Sequence, residues 1–125
     1  MHVVGKINTG IFKIAGFELL ADEVVLTDPQ LQHILKNHPN SFELYQGYIQ
    51  SILLDPDFIV EANRSNSALL AKTITETEIS FKLVLRLKTA DDPEQYMNSI
   101  ITFMKSDAKE LSRLSRNKKV LYKRE

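Results

Sequence analysis

The chain has 125 residues, 43% of them hydrophobic, which is enough apolar surface to bury one core and about the length of one domain. It has no cysteine, which excludes disulfides and thiolate metal sites, and its 16 basic residues balance 16 acidic ones, which argues against coating nucleic acid through net charge. No stretch approaches the roughly 18 apolar residues of a membrane helix, and the N-terminus lacks the basic segment and apolar run of a secretory signal. A soluble, cytoplasmic protein with no membrane partner is expected.

In chain order, Val3 to Ile14 suits a short strand followed by a turn or brief helix, broken at Thr9-Gly10. Glu23 to Thr27 reads as a second short strand. Asp28 then caps a helix with Pro29 in its first turn, and that helix runs to about His38, where Pro39 stops it. Asn40 or Ser41 caps a second helix, with Glu43 placed to complete a capping box from Asn40. Its apolar residues Phe42, Tyr45, Ile49, Ile52 and Leu53 recur at spacings of three and four, and Asp55-Pro56 ends it.

After Pro56 the pattern changes to strands over 57–62, 68–74, 79–87 and 99–104, joined by polar turns short enough to connect antiparallel neighbours. A longer loop spans Thr89 to Asn98. Ser106 to Arg116 reads as a basic helix with Leu111 and Leu114 inward, and Val120-Leu121-Tyr122 as a last strand. The expected architecture is therefore one α+β domain over residues 1–125. Two N-terminal helices pack on a four- to five-stranded antiparallel sheet, and a basic helix stands near the C-terminus.

Charge is unevenly spread. From Lys105 onward there are eight basic residues against three acidic ones, a balance of +5, so the first 104 residues carry −5. A cationic C-terminal segment can hold a polyanion locally while the acidic remainder limits indiscriminate binding. The competing reading is a solvated, lysine-rich helix.

On a helical wheel at about 100° per residue with Leu31 at zero, His38 falls near 340° with the apolar stripe and His33 near 200°, on another side. A spacing of five does not suit two metal ligands on one helix face, and no third ligand stands nearby, so no metal is expected. In isolation His38 reads as a core-edge histidine and His33 as a surface one, and composition alone makes neither catalytic. Cleaving a phosphodiester at neutral pH needs a group titrating near 6.5, cations for the pentavalent phosphate, and hydroxyls to fix its oxygens. Strand alternation puts Lys82, Val84, Arg86 and Lys88 on one face, three cations with no acidic residue among them in the strand. The same alternation allows Ser99 or Thr102 on Arg86's side, but both only if a bulge intervenes.

Thr27-Asp28, Leu31, His33-Ile34, His38-Pro39, Asp55-Pro56-Asp57-Phe58-Ile59 and Asn98-Ser99-Ile100-Ile101-Thr102-Phe103 occur in that order. Together they resemble the phage-encoded barnase-EndoU-colicin-RelE-like nuclease domains, from about Val24 to Tyr122. The resemblance implies a metal-independent ribonuclease or related toxin without cofactors, acting on RNA and paired with an immunity or antitoxin protein. The reaction would be attack of an RNA 2′-hydroxyl on the adjacent phosphate, leaving a cyclic phosphate. It makes His38, His33, Arg86, Ser99 and Thr102 the catalytic candidates, with Lys82, Lys88, Lys105 and Asn98 binding substrate. Two other readings stay open: an inactive RNA- or protein-binding module of this fold, and an interaction domain with no nucleic-acid role.

Overall fold

The computed structural model describes residues 2–124. Strand β1 (His2–Lys6) is followed by helix α1 (Thr9–Ile14), and β2 (Glu23–Leu26) leads into α2 (Asp28–Asn37). Asn8 caps α1 by accepting from the Ile11 N–H at 3.1 Å. The cap of α2 is Thr27 rather than the expected Asp28: Thr27 Oγ1 accepts from the Gln30 N–H at 3.4 Å. Asp28 moves into the first turn, where its charge suits the helix dipole, and Pro29 still forfeits no hydrogen bond.

The second expected helix is broken into α3 (Ser41–Tyr45), a 3-10 turn at Gln46–Tyr48, and α4 (Ile49–Leu54). Asn40 makes no side-chain cap and sits at φ 68°, so the capping box does not form. Gly47 weakens a helix at this point by about 1 kcal/mol, and the tighter turn still lets Phe42, Tyr45, Ile49, Ile52 and Leu53 all reach the core.

Strands β3 (Phe58–Glu61), β4 (Ser67–Ile74), β5 (Ile79–Arg86) and β6 (Asn98–Ser106) form the expected antiparallel meander. The sheet nevertheless has seven strands, ordered β1-β2-β6-β5-β4-β3-β7, with β7 at Val120–Lys123, and it is mixed. β2 runs parallel to β6 through the pairs Val24↔Asn98 and Val25↔Ser99. The four-to-five-strand antiparallel expectation falls short because β1, β2 and β7 join the meander from distant parts of the chain, with no turn to announce the pairing.

One sheet face carries Leu70, Phe81, Leu83, Leu85, Ile100 and Phe103, all fully buried against Phe12, Ile34, Ile49, Ile52 and Leu53 of the helices. On the other face Phe58, Val60, Leu69 and Ala71 of β3 and β4 meet Leu111 and Leu114 of α5 (Ala108–Asn117). The apolar packing of α5 thus covers only half of this face. Over β5 and β6, Val84, Ile101, Thr102 and Met104 stay half-buried.

The Asp55-Pro56-Asp57 segment serves the architecture. Lys72 donates to the Asp55 carbonyl at 2.6 Å and pairs with both carboxylates, while Arg124 pairs with Asp55 at 2.8 Å and with Asp57. These contacts tie β7 to the end of α4 and to β4.

Candidate active site

The half of the second face that the apolar packing of α5 leaves uncovered runs along β5 and β6 as a half-buried strip, the trough. Cross-strand partners in an antiparallel pair point to the same face, and here Lys82 faces Met104, Val84 faces Thr102 and Arg86 faces Ser99. The register shifts between Val84 and Leu85, skipping Ile101. That extra residue is a bulge, the condition under which both hydroxyls can share Arg86's side, and it brings Ser99 and Thr102 there together. Thr102 Oγ1 is the one buried side-chain oxygen among the described residues with no hydrogen-bond partner. Such a group usually marks a place where a water or ligand belongs.

The cations on this face are not unpartnered, contrary to the reading of the strand alone. Lys82, 15% exposed, pairs with Glu110 of α5 at 3.1 Å. Glu110 also accepts from the Ser106 hydroxyl and lies 3.9 Å from Arg113, and these contacts hold its carboxyl below the usual range, with the Ser106 bond first. Arg86 is held by both oxygens of Asp92, at 3.0 and 3.1 Å, with its guanidinium 5.0 Å from the Tyr96 ring centre. The Arg86 bond is the main cause that pulls Asp92 down to about 2, and Thr89 adds its backbone and hydroxyl. Lys88 donates to the Glu94 carbonyl. Each acidic or carbonyl partner comes from outside the strand, which is why alternation within the strand missed them.

His38 belongs to the helix layer on the opposite face of the sheet, and what ties it to this face is the charge of Lys82, near enough to act on its ring. It ends α2; its carbonyl accepts from the Ser41 N–H at 3.2 Å, and the Ser41 hydroxyl accepts from the Lys105 N–H at 3.4 Å, so this corner is seated on the end of β6. Partial burial is the main cause that lowers the imidazole below 6.5, and the nearby His33 and Lys82 push the same way. His33 is exposed, with the Asn37 amide 3.0 Å from its ring, and α5 lies on β3 and β4 rather than over it. Lys82 and Arg86 are four residues apart on a strand, about 13 Å. The expected single cluster is therefore drawn out, with Lys82 at one end of this face, Arg86 with Ser99 at the other, Thr102 between them, and His38 on the helix side of the sheet.

Two further assignments change. Asn98 is fully buried, and its side chain donates to the carbonyls of Ala21 at 2.9 Å and Glu23 at 3.0 Å while accepting from the Lys88 N–H at 2.8 Å. Every group it offers is used inside the fold, which leaves nothing for a substrate. Lys105 is exposed near the end of β6, close to Lys109, Arg113 and Arg116, which follow at four- and three-residue spacings along α5. These cations line an open cleft of about 600 Å³ beside Glu110 and Ser106. Among the described residues no three His, Asp or Glu side chains gather where they could hold a metal ion, and no helix is long and apolar enough to cross a membrane.

Comparison with protein-family models matches residues 4–123 to the family described as phage-Barnase-EndoU-ColicinE5/D-RelE like nuclease2. The chain belongs to that family. The match extends beyond the Val24–Tyr122 span of the sequence resemblance and takes in most of β1, so the edge strand is part of the family's domain. Neither curated proteins nor solved structures gave a match. A family described as nuclease-like points to nucleic acid as the substrate class.

Sequence reasoning overlooked Glu110, Asp92 and Tyr96. Glu110 stands four residues after Ser106 at the start of a basic helix, the one signal available, and it reads there as ordinary helix-dipole compensation.

Proposed function

We propose that the protein cleaves RNA by metal-independent transesterification, with His38 and Lys82 at the chemical centre and the β5–β6 trough receiving the backbone. His38, held largely neutral at pH 7, takes the proton of the 2′-hydroxyl. The freed oxygen attacks the adjacent phosphorus, the bond to the 5′-oxygen breaks with that oxygen taking a proton from solvent, and a 2′,3′-cyclic phosphate and a 5′-hydroxyl result. Lys82 meets the charge of the phosphorane. Ser99 offers a hydroxyl to a phosphate oxygen and Arg86 receives the next stretch of backbone, while the buried Thr102 hydroxyl lies beneath them. The cationic row of α5 holds the strand against the trough. The observation that carries this reading is the bulge at Ile101, which brings Ser99 and Thr102 to the face of Lys82 and Arg86.

The test is incubation of labelled RNA with the pure protein in EDTA, beside His38→Ala, Lys82→Ala and Arg86→Ala. Cleavage by the parent chain should fall by about a hundredfold or more with His38→Ala, with a cyclic phosphate product. Equal cleavage by all four would show a contaminant. One observation favours the binding-module reading: the charge of Arg86 is already taken up by Asp92. That reading expects RNA affinity that falls with salt and no product.

A further inference from the structure

Between the two ends of the trough lies a small recess that the reaction above does not use. Its floor is aliphatic, built from Leu69 of β4, Val84 of β5 and the bulged Ile101 of β6, and all three are half-buried. Arg64 from the β3–β4 turn and Lys118 just past α5 stand on its rim. Lys118 is fixed there by donating to Asn63 Oδ1 at 2.7 Å, a bond that spans from the end of α5 to the turn. Ser67, which faces Arg86 across the strands, adds a hydroxyl to the lining. No acidic side chain among the described residues lines the recess.

We infer that this recess binds one unstacked base of single-stranded RNA, with the base on the Leu69–Val84–Ile101 floor and the flanking backbone on Arg64 and Lys118. The inference rests on the reading of the trough as an RNA site and gives it a base-binding subsite. Three observations combine. The volume is about 190 Å³, room for about six waters, which suits a single flat ring system better than a peptide segment. An apolar floor under a purely cationic rim matches a nucleotide, apolar on its base faces and anionic on its phosphate, and an arginine guanidinium is itself a plane on which unpaired bases stack. The position matches too. Val84 is two residues from Lys82 and two from Arg86, about 7 Å each way, so a base held there sets its own phosphates toward both ends of the trough.

The bulge acquires a second consequence from this. By removing Ile101 from the regular alternation it brings the two hydroxyl-bearing residues to Arg86's face, and it also supplies the third wall of the aliphatic floor. One irregularity thus builds both the phosphate line and the base recess.

The test follows the methyl signals of Leu69, Val84 and Ile101 by NMR in the intact chain, titrated separately with adenosine, cytidine, guanosine and uridine 3′-monophosphates and with inorganic phosphate. The expected result is that at least one nucleotide shifts all three methyl groups while phosphate alone leaves them unmoved. Equal shifts with phosphate, or none with any nucleotide, would overturn the inference. A second arm uses a 2′-O-methyl tetranucleotide, which cannot react. Replacing one base by an abasic unit should cost the parent chain about tenfold in affinity, and the same replacement should cost a folded Ile101→Ala variant clearly less. Undiminished loss in that variant also counts against the recess. RNA cleavage by a chain whose methyl groups never respond would leave the reaction standing and remove the subsite. Methyl shifts in a chain that never cleaves would keep the subsite without the reaction.

Discussion

His38 combines a structural post with a chemical one. As the residue that closes α2 it is anchored through its backbone to Ile34 and Ser41, so its ring has a defined place while both nitrogens remain free for chemistry. Burial, His33 and Lys82 all disfavour its protonated form. A base whose folded pKa lies below the ordinary 6.5 is active down to that lowered value, so the acidic limb of the rate–pH profile should bend below 6.5. Substituting Lys82 by Met removes one of the charges depressing the imidazole and should move that bend upward in a profile of cleavage rate against pH. Asp92 shows the opposite linkage. Its carboxyl, held at about 2 against an ordinary 3.8, stabilises the fold fully above 3.8 and loses that contribution as pH falls toward 2. Thermal melting of the parent and of Asp92→Asn should therefore differ by a constant amount near neutrality and converge as the pH approaches 2. Side-chain burial was partly legible in the sequence: the wheel angles put His38 with the apolar stripe and His33 outside it, and His38 is half-buried while His33 is exposed. The partners of Lys82, Arg86 and Lys88 were not legible, because Glu110, Asp92 and Glu94 approach from a helix and a loop whose position depends on the whole fold.

At the level of elements the bulge in β6 makes a sharp prediction about register. Because Ile101 is the residue skipped by the ladder, deleting it leaves Val84 opposite Thr102 and Leu85 opposite Ile100, now without interruption. The ΔIle101 chain should still melt cooperatively, at a cost of about 1–2 kcal/mol for the lost side chain and altered twist. Inserting one residue between Thr102 and Phe103 should instead turn Phe103 out of the core and Met104 into it, and the cooperative transition should vanish. The meander strands and both long helices were legible because each is a continuous periodic run with clear punctuation at Pro39, Pro56 and the polar turns. The broken helix was not, since Phe42 to Leu53 keeps its apolar spacing through the 3-10 turn and only Gly47 hints at the interruption.

For the molecule as a whole, what pattern could not reveal was how distant pieces close the sheet. β2 meets β6 in parallel through only two residue pairs, and Asn98 makes that junction hold by bonding to Ala21, Glu23 and Lys88 at once. Asn98→Ala leaves two carbonyls and an N–H buried without partners, which should cost about 3 kcal/mol in chemical denaturation, a larger effect than any trough substitution of an exposed group. Sequence placed Asn98 near the chemistry because it neighbours Ser99; only the fold reveals that it faces the other way, into the core.

That junction also bears on the order of folding. β3 to β6 are linked in sequence by turns and one loop, so their pairing closes short segments, whereas joining β2 to β6 closes a span of more than seventy residues and is entropically the slower event. Ser99 is the immediate neighbour of Asn98 and pairs with Val25 across the same late seam. The meander alone therefore sets Lys82, Val84 and Arg86 and, through the β5–β6 register, Ser99 and Thr102, whereas His38, carried by the helix that follows β2, takes its place only once that seam has closed.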